Sequence, residues 1–158
     1  MLKDYLRCTA VCFTGHRKMQ NVDIQNQLDD IVELLYKRNY RFFLTGGALG
    51  FDTESDLSVL RIQKKHTTIK LILVLPYPKQ AEKWSIEEQE QYELIKFRAT
   101  KIIYTGDRYT RGCYHARNRA LVDGSNLCVA YLVKSRGGSA YTVGYAEQKG
   151  LKIINIDE

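Results

Sequence analysis

The sequence predicts one α/β domain built on an open, mostly parallel sheet of about six strands with helices on both faces. Short apolar runs alternate with longer amphipathic ones along the chain. Ile69 to Leu75 (IKLILVL) is nearly continuous apolar sequence, the pattern of a strand covered on both faces. At 158 residues the chain has room for one sizeable core, and no repeat, low-complexity tract or linker divides it.

Cys8 to Phe13 is a strand that stops at a glycine. Val22 to Asn39 follows as a helix, with Ile24, Leu28, Ile31, Val32, Leu34 and Leu35 on its apolar stripe. Arg41 to Leu44 is the next strand and Phe51 to Lys65 the next helix. After the Ile69 strand, Pro76-Tyr77-Pro78 spends both prolines of the chain in one loop. Ser85 then caps a helix, with Glu87 and Glu88 in its first turn, that runs to about Ala99. Strands at Ile102 to Tyr104, Leu127 to Leu132 and Leu151 to Ile156 alternate with helices at Tyr114 to Val122 and Ala140 to Lys149. The architecture is Rossmann-like, and ligands of such sheets bind beyond the carboxyl ends of the strands.

The formal charge of +6 favours anionic partners, but the basic residues are scattered, so charge alone is weak support for nucleic acid. Cys8, Cys12, Cys113 and Cys128 form no Cys-x-x-Cys pair and no zinc spacing, and are read as reduced core thiols. No metal is expected. With no leader-like or membrane-spanning apolar run, the expectation is a cytoplasmic protein without a membrane partner.

Three glycine turns fall where strands give way to helices: Thr14-Gly15-His16-Arg17, Thr45-Gly46-Gly47-Ala48-Leu49-Gly50, and Arg136-Gly137-Gly138-Ser139. Bare main-chain N–H groups beside a positive helix end suit a phosphate. The middle turn is neither G-x-G-x-x-G nor a Walker loop, and its plain alternative is a tight strand-to-helix connection. Arg17 offers a planar fork to an anion, with His16 beside it. Asp52 either accepts from a ribose hydroxyl or is an ordinary first-turn acid. Arg117 and Asn118, early in their helix, can reach the strand ends, whereas Arg119 points elsewhere. Ser139 and Thr142 add hydroxyl donors after the third turn. Trp84 and Tyr92 stack on a base, or fill a core or close a lid, and neither His66 nor His115 is assigned a role in metal binding.

Taken together, Thr14-Gly15-His16-Arg17, Thr45 to Asp52, Pro78-x-Gln80-x-x-x-Trp84 with Gln89 and Tyr92, Arg117-Asn118 with Val122-Asp123, and Gly137-Gly138-Ser139 with Tyr145-Ala146 resemble the YpsA-like branch of the SLOG superfamily. The resemblance runs from about residue 10 to the C-terminus. It implies a nucleotide-binding domain, often in a homo-oligomer, related to the LOG phosphoribohydrolases and to DprA. The LOG enzymes carry Pro-Gly-Gly-x-Gly-Thr followed by a catalytic glutamate, where this chain has Gly137-Gly138-Ser139-Ala140-Tyr141 and no matching carboxylate. Glu147 lies a turn farther on, and Arg117 matches the arginine of that family's other motif.

The leading expectation is a sensor or regulatory module that binds a nucleotide or a nucleotide-derived ligand such as ADP-ribose or NAD and requires no cofactor. Main-chain amides at the three turns would take the phosphates, with Arg17 and Arg117 neutralising them. An N-glycosidic hydrolase using Asp52, Glu54 or Asp123 is the alternative, and DprA-like single-stranded DNA binding ranks below both. Arg17→Ala and Gly47→Val are expected to abolish ligand stabilisation and leave the fold intact.

Overall fold

The computed structural model describes residues 7–19, 23–132 and 138–156. Six strands and five helices alternate: β1 (Ala10–Gly15), α1 (Ile24–Lys37), β2 (Phe42–Thr45), α2 (Phe51–Gln63), β3 (Lys70–Leu75), α3 (Ile86–Arg98), β4 (Lys101–Tyr104), α4 (Cys113–Asp123), β5 (Leu127–Tyr131), α5 (Gly138–Gln148) and β6 (Lys152–Asn155). The sheet is wholly parallel, in the order β4-β3-β2-β1-β5-β6. The expected fold is therefore the observed one.

Alternation along the strands divides the core into two layers. Val11 and Phe13 of β1, Leu71, Leu73 and Leu75 of β3, and Val129 and Tyr131 of β5 pack against α1, α2 and α3. Ala10, Cys12, Ile72, Val74, Cys128 and Ala130 face the other way, onto Leu121 and Val122 of α4 and Ala146 of α5. Phe13, Phe51 and Tyr131 are fully buried in a row, with ring centroids 6.4 Å apart for Phe13–Phe51 and 5.8 Å for Phe51–Tyr131. This row lies under the turn that leaves β1.

Element boundaries differ by a few residues from the expected ones. β1 runs on through Thr14 and Gly15 because these pair with Ala130 and Tyr131 of β5. Hydrophobicity, which marked the strand from Cys8, carries no signal for that extension. Cys8 is exposed, which corrects its reading as a core thiol, whereas Cys12, Cys113 and Cys128 are buried. Val22 of the expected first helix lies outside the described residues. Among the described residues, no helix is long and apolar enough to cross a membrane.

Candidate functional site

β1 is the pivot of the sheet, because its neighbours are β2 on one side and β5 on the other. The connections leaving β1 and β5 therefore diverge to opposite faces and leave a crevice at the strand ends. A cleft of about 410 Å³ opens there. β1 and its turn contribute Thr14, Gly15, His16 and Arg17, and the segment after β2 contributes Ala48 and Asp52. Tyr114, His115, Arg117 and Asn118 come from α4, and Gly138 and Ser139 from the start of α5. The first turn of α5 thus brings a positive helix end to the cleft wall.

Two turns are locked together beneath the opening. The Phe51 N–H donates to the His16 carbonyl at 3.1 Å, and the His16 N–H donates to the Tyr131 carbonyl at 3.3 Å. Gly50, at φ 81°, packs its Cα against the backbone of Arg17, so a side chain there would collide with the Arg17 carbonyl. Gly15 lies flat on the Phe51 ring in the same way.

Behind the opening sits a buried charge pair. Asp52 and Arg117 are 6% and 5% exposed. The Ala48 N–H donates to Asp52 Oδ2 at 3.1 Å, so the middle glycine turn holds its own carboxylate. Arg117 Nε donates to Asn118 Oδ1 at 2.8 Å, and its Nη1 donates to the Gly46 carbonyl and, at 3.3 Å, to Gln80 Oε1. Burial pushes Asp52 up from 3.8 to about 6, against the pull of Arg117 and of the Ala48 and Gly46 amides. Burial also lowers Arg117, while Asp52 raises it. A guanidinium so held stays charged at neutral pH.

The expected site residues separate into two groups. Thr14, Gly15, His16, Arg17, Asp52, Arg117, Asn118, Gly138 and Ser139 come together at the cleft. Gly46 and Gly47 are buried behind it, making room for Arg117 and for Leu75, and Gly50 supports the Arg17 turn. Thr142 is fully buried and donates its hydroxyl to the Gly138 carbonyl at 2.9 Å, within α5. Gly137, with Arg136, lies outside the described residues. Arg119 does point elsewhere, donating to the Tyr141 hydroxyl at 2.9 Å.

Four participants were not among the expected site residues, although Gln80 stands in the Pro78-x-Gln80-x-x-x-Trp84 motif. Tyr114 and His115 line the cleft, and Gln80 ties Arg117 to Tyr92 and to the Gly47 carbonyl. Asp56, one helical turn beyond Asp52, is buried and accepts from the Thr45 hydroxyl. Burial raises Asp56 well above the ordinary carboxylate range, Thr45 opposes that rise, and Asp52 adds to it. The four-residue spacing of Asp52 and Asp56 on a helix was the available signal.

Comparison with known proteins places this geometry in a family. The sequence model of the YspA SLOG family matches residues 9–156. The SPbeta prophage-derived protein YoqJ of Bacillus subtilis (strain 168) is 30% identical over 130 residues, covering 75% of this chain and 76% of that protein. DNA processing protein A (DprA) from Streptococcus pneumoniae is similar in fold, with a TM-score of 0.68 and 18% identity over 96% of this chain. The chain spans 51% of that structure. DNA processing protein A from Helicobacter pylori, a single-stranded DNA-binding protein, gives a TM-score of 0.70 at 18% identity, covering 97% of this chain and 68% of that one.

Proposed function

The chain belongs to the YspA SLOG family, and from that premise we propose that its switch-point cleft binds a nucleotide or nucleotide-derived ligand, as a sensor or regulatory module. The observation that carries this reading is the convergence of the exposed Arg17, His16 and the first turn of α5 on one cleft of about 410 Å³. That volume is in the range of small-molecule sites, roughly 300–1,000 Å³. Arg17 and the α5 amides take phosphate oxygens. The Asp52 carboxylate accepts from a ribose hydroxyl at the inner wall, while Arg117 offsets its charge. Gly46, Gly47, Gly50 and Thr142 act by shaping the wall.

One observation favours a second reading, hydrolysis of an N-glycosidic bond. Asp52 lines the cleft with its pKa pushed up to about 6 by burial, a value suited to moving a proton near neutral pH. Incubating the protein with AMP, GMP, NAD and ADP-ribose, with melting temperature and free base both measured, separates the two. A melting-temperature rise without free base is the expected result. Release of base establishes the hydrolase. No response to any of the four, with salt-dependent binding of an oligothymidylate instead, sinks both small-molecule readings. The family resemblance also supports a homo-oligomer, which sedimentation of the purified protein tests.

A further inference from the structure

A second cavity of about 990 Å³ adjoins the cleft, formed by the loops that follow β3 and β4. The two cavities share Arg17 and Tyr114. Gln80 couples them further, since it lines the second cavity and accepts from Arg117 of the first.

The second cavity has its own chemistry. Tyr77, Tyr109 and Tyr114 form a three-ring corner, with centroids 6.0 Å apart for Tyr77–Tyr109 and 6.2 Å for each of the other pairs. Planes inclined at 56° to 79° mean that the three rings meet edge to face and not in parallel stacks, and the Arg117 guanidinium lies over the Tyr114 ring, 5.7 Å from its centroid. The Tyr77 and Tyr114 hydroxyls are 3.2 Å apart and hold two of the rings in place. Tyr109 is 63% exposed although it is a large aromatic side chain on a cavity wall. Lys79, Lys83, Arg108 and Arg17 surround the corner, against Glu82 and Asp107. An exposed tyrosine ring, braced by two others within a cationic rim, recognises a planar ring carried on an anionic chain. The acids within that rim suit a compact ligand better than a long phosphate backbone, which calls for a continuous basic groove.

We propose that the ligand is a dinucleotide. One nucleoside occupies the switch-point cleft, the linking phosphates cross Arg17, and the second base stacks in the Tyr77–Tyr109–Tyr114 corner. This inference rests on the nucleotide reading of the cleft and adds the class of its ligand.

Calorimetric titration of AMP and GMP against NAD, pApA and pGpG tests it, on wild type, Tyr109→Ala and Tyr109→Phe. A dinucleotide should bind at least about tenfold tighter than either mononucleotide, on the scale of one stacked base. Tyr109→Ala should erase that advantage and leave mononucleotide affinity unchanged, and Tyr109→Phe should keep it. Because Tyr109 is exposed, both variants should fold, which circular dichroism checks. Equal affinities for mono- and dinucleotides, or a dinucleotide advantage that survives Tyr109→Ala, overturns the second subsite while the cleft reading stands. Absence of binding by all five ligands overturns both, whether or not a short oligothymidylate binds.

Discussion

Arg17 and Asp52 are the two side chains whose charges decide what the cleft accepts. Arg17 is exposed, and only its backbone packs against Gly50, so Arg17→Ala should leave the free protein's unfolding curve within about 0.5 kcal/mol of wild type. It should weaken nucleotide binding about tenfold or more, the scale of a lost hydrogen bond to a charged group, as read by titration. Asp52 acts through protons. Its folded pKa of about 6 lies above the ordinary 3.8, so between about pH 4 and pH 6 the folded chain holds a proton that the unfolded chain has released. Stability therefore falls as pH rises through that window, by about 3 kcal/mol from this group. Asp52→Asn should remove that part of the slope in urea denaturation curves at pH 4 and pH 7. An unchanged slope would refute the assignment. Gly47 corrects the expectation that Gly47→Val spares the fold. It has φ 67°, and a side chain there would strike Leu75, so valine should cost several kcal/mol and lower the urea midpoint before any ligand is added.

Among the elements, α3 shows what local sequence can specify. Ser85 accepts from the Glu88 N–H at 3.1 Å and Glu88 accepts from the Ser85 N–H at 2.9 Å, a reciprocal cap legible from a three-residue spacing. Ser85→Ala should cost about 1 kcal/mol, seen as a small drop in the urea midpoint. The strands were equally legible, because burial on both faces leaves apolar runs such as Leu71 to Leu75. The middle glycine turn was not. A glycine that makes room for a ligand and one that makes room for Leu75 or for the Arg17 carbonyl have the same sequence signature. Tyr114, His115 and Gln80 escaped for a related reason. Gln80 meets Gly47 and Arg117 from 33 and 37 residues away, and although Tyr114 and His115 stand beside Arg117 and Asn118 in sequence, no local pattern says that the sheet order brings that helix end to the turn after β1.

At the level of the whole molecule, the wall of the cleft couples binding to protonation. A phosphate beside Asp52 raises its pKa further, whereas a ribose hydroxyl donating to its carboxylate lowers it, so the pH dependence of binding tells which of the two lies against it. NAD, whose pyrophosphate charges do not titrate in this range, should bind more tightly at pH 7 than at pH 5 with its ribose on the Asp52 carboxylate. The same comparison in Asp52→Asn should show a smaller difference, and an undiminished one would place the proton elsewhere, His16 and His115 being the histidines on the cleft wall.

The strand order has a consequence during synthesis. As the ribosome delivers the chain, β1 to β4 can assemble into a four-stranded sheet, but the free edge of β1 stays bare until Leu127–Tyr131 emerges. Until then the nascent protein presents Val11 and Phe13 on an unpaired template, the geometry that invites edge-to-edge aggregation. The pocket also comes into being last, when α5 folds, so a half-made chain has a sheet but nowhere to hold its ligand.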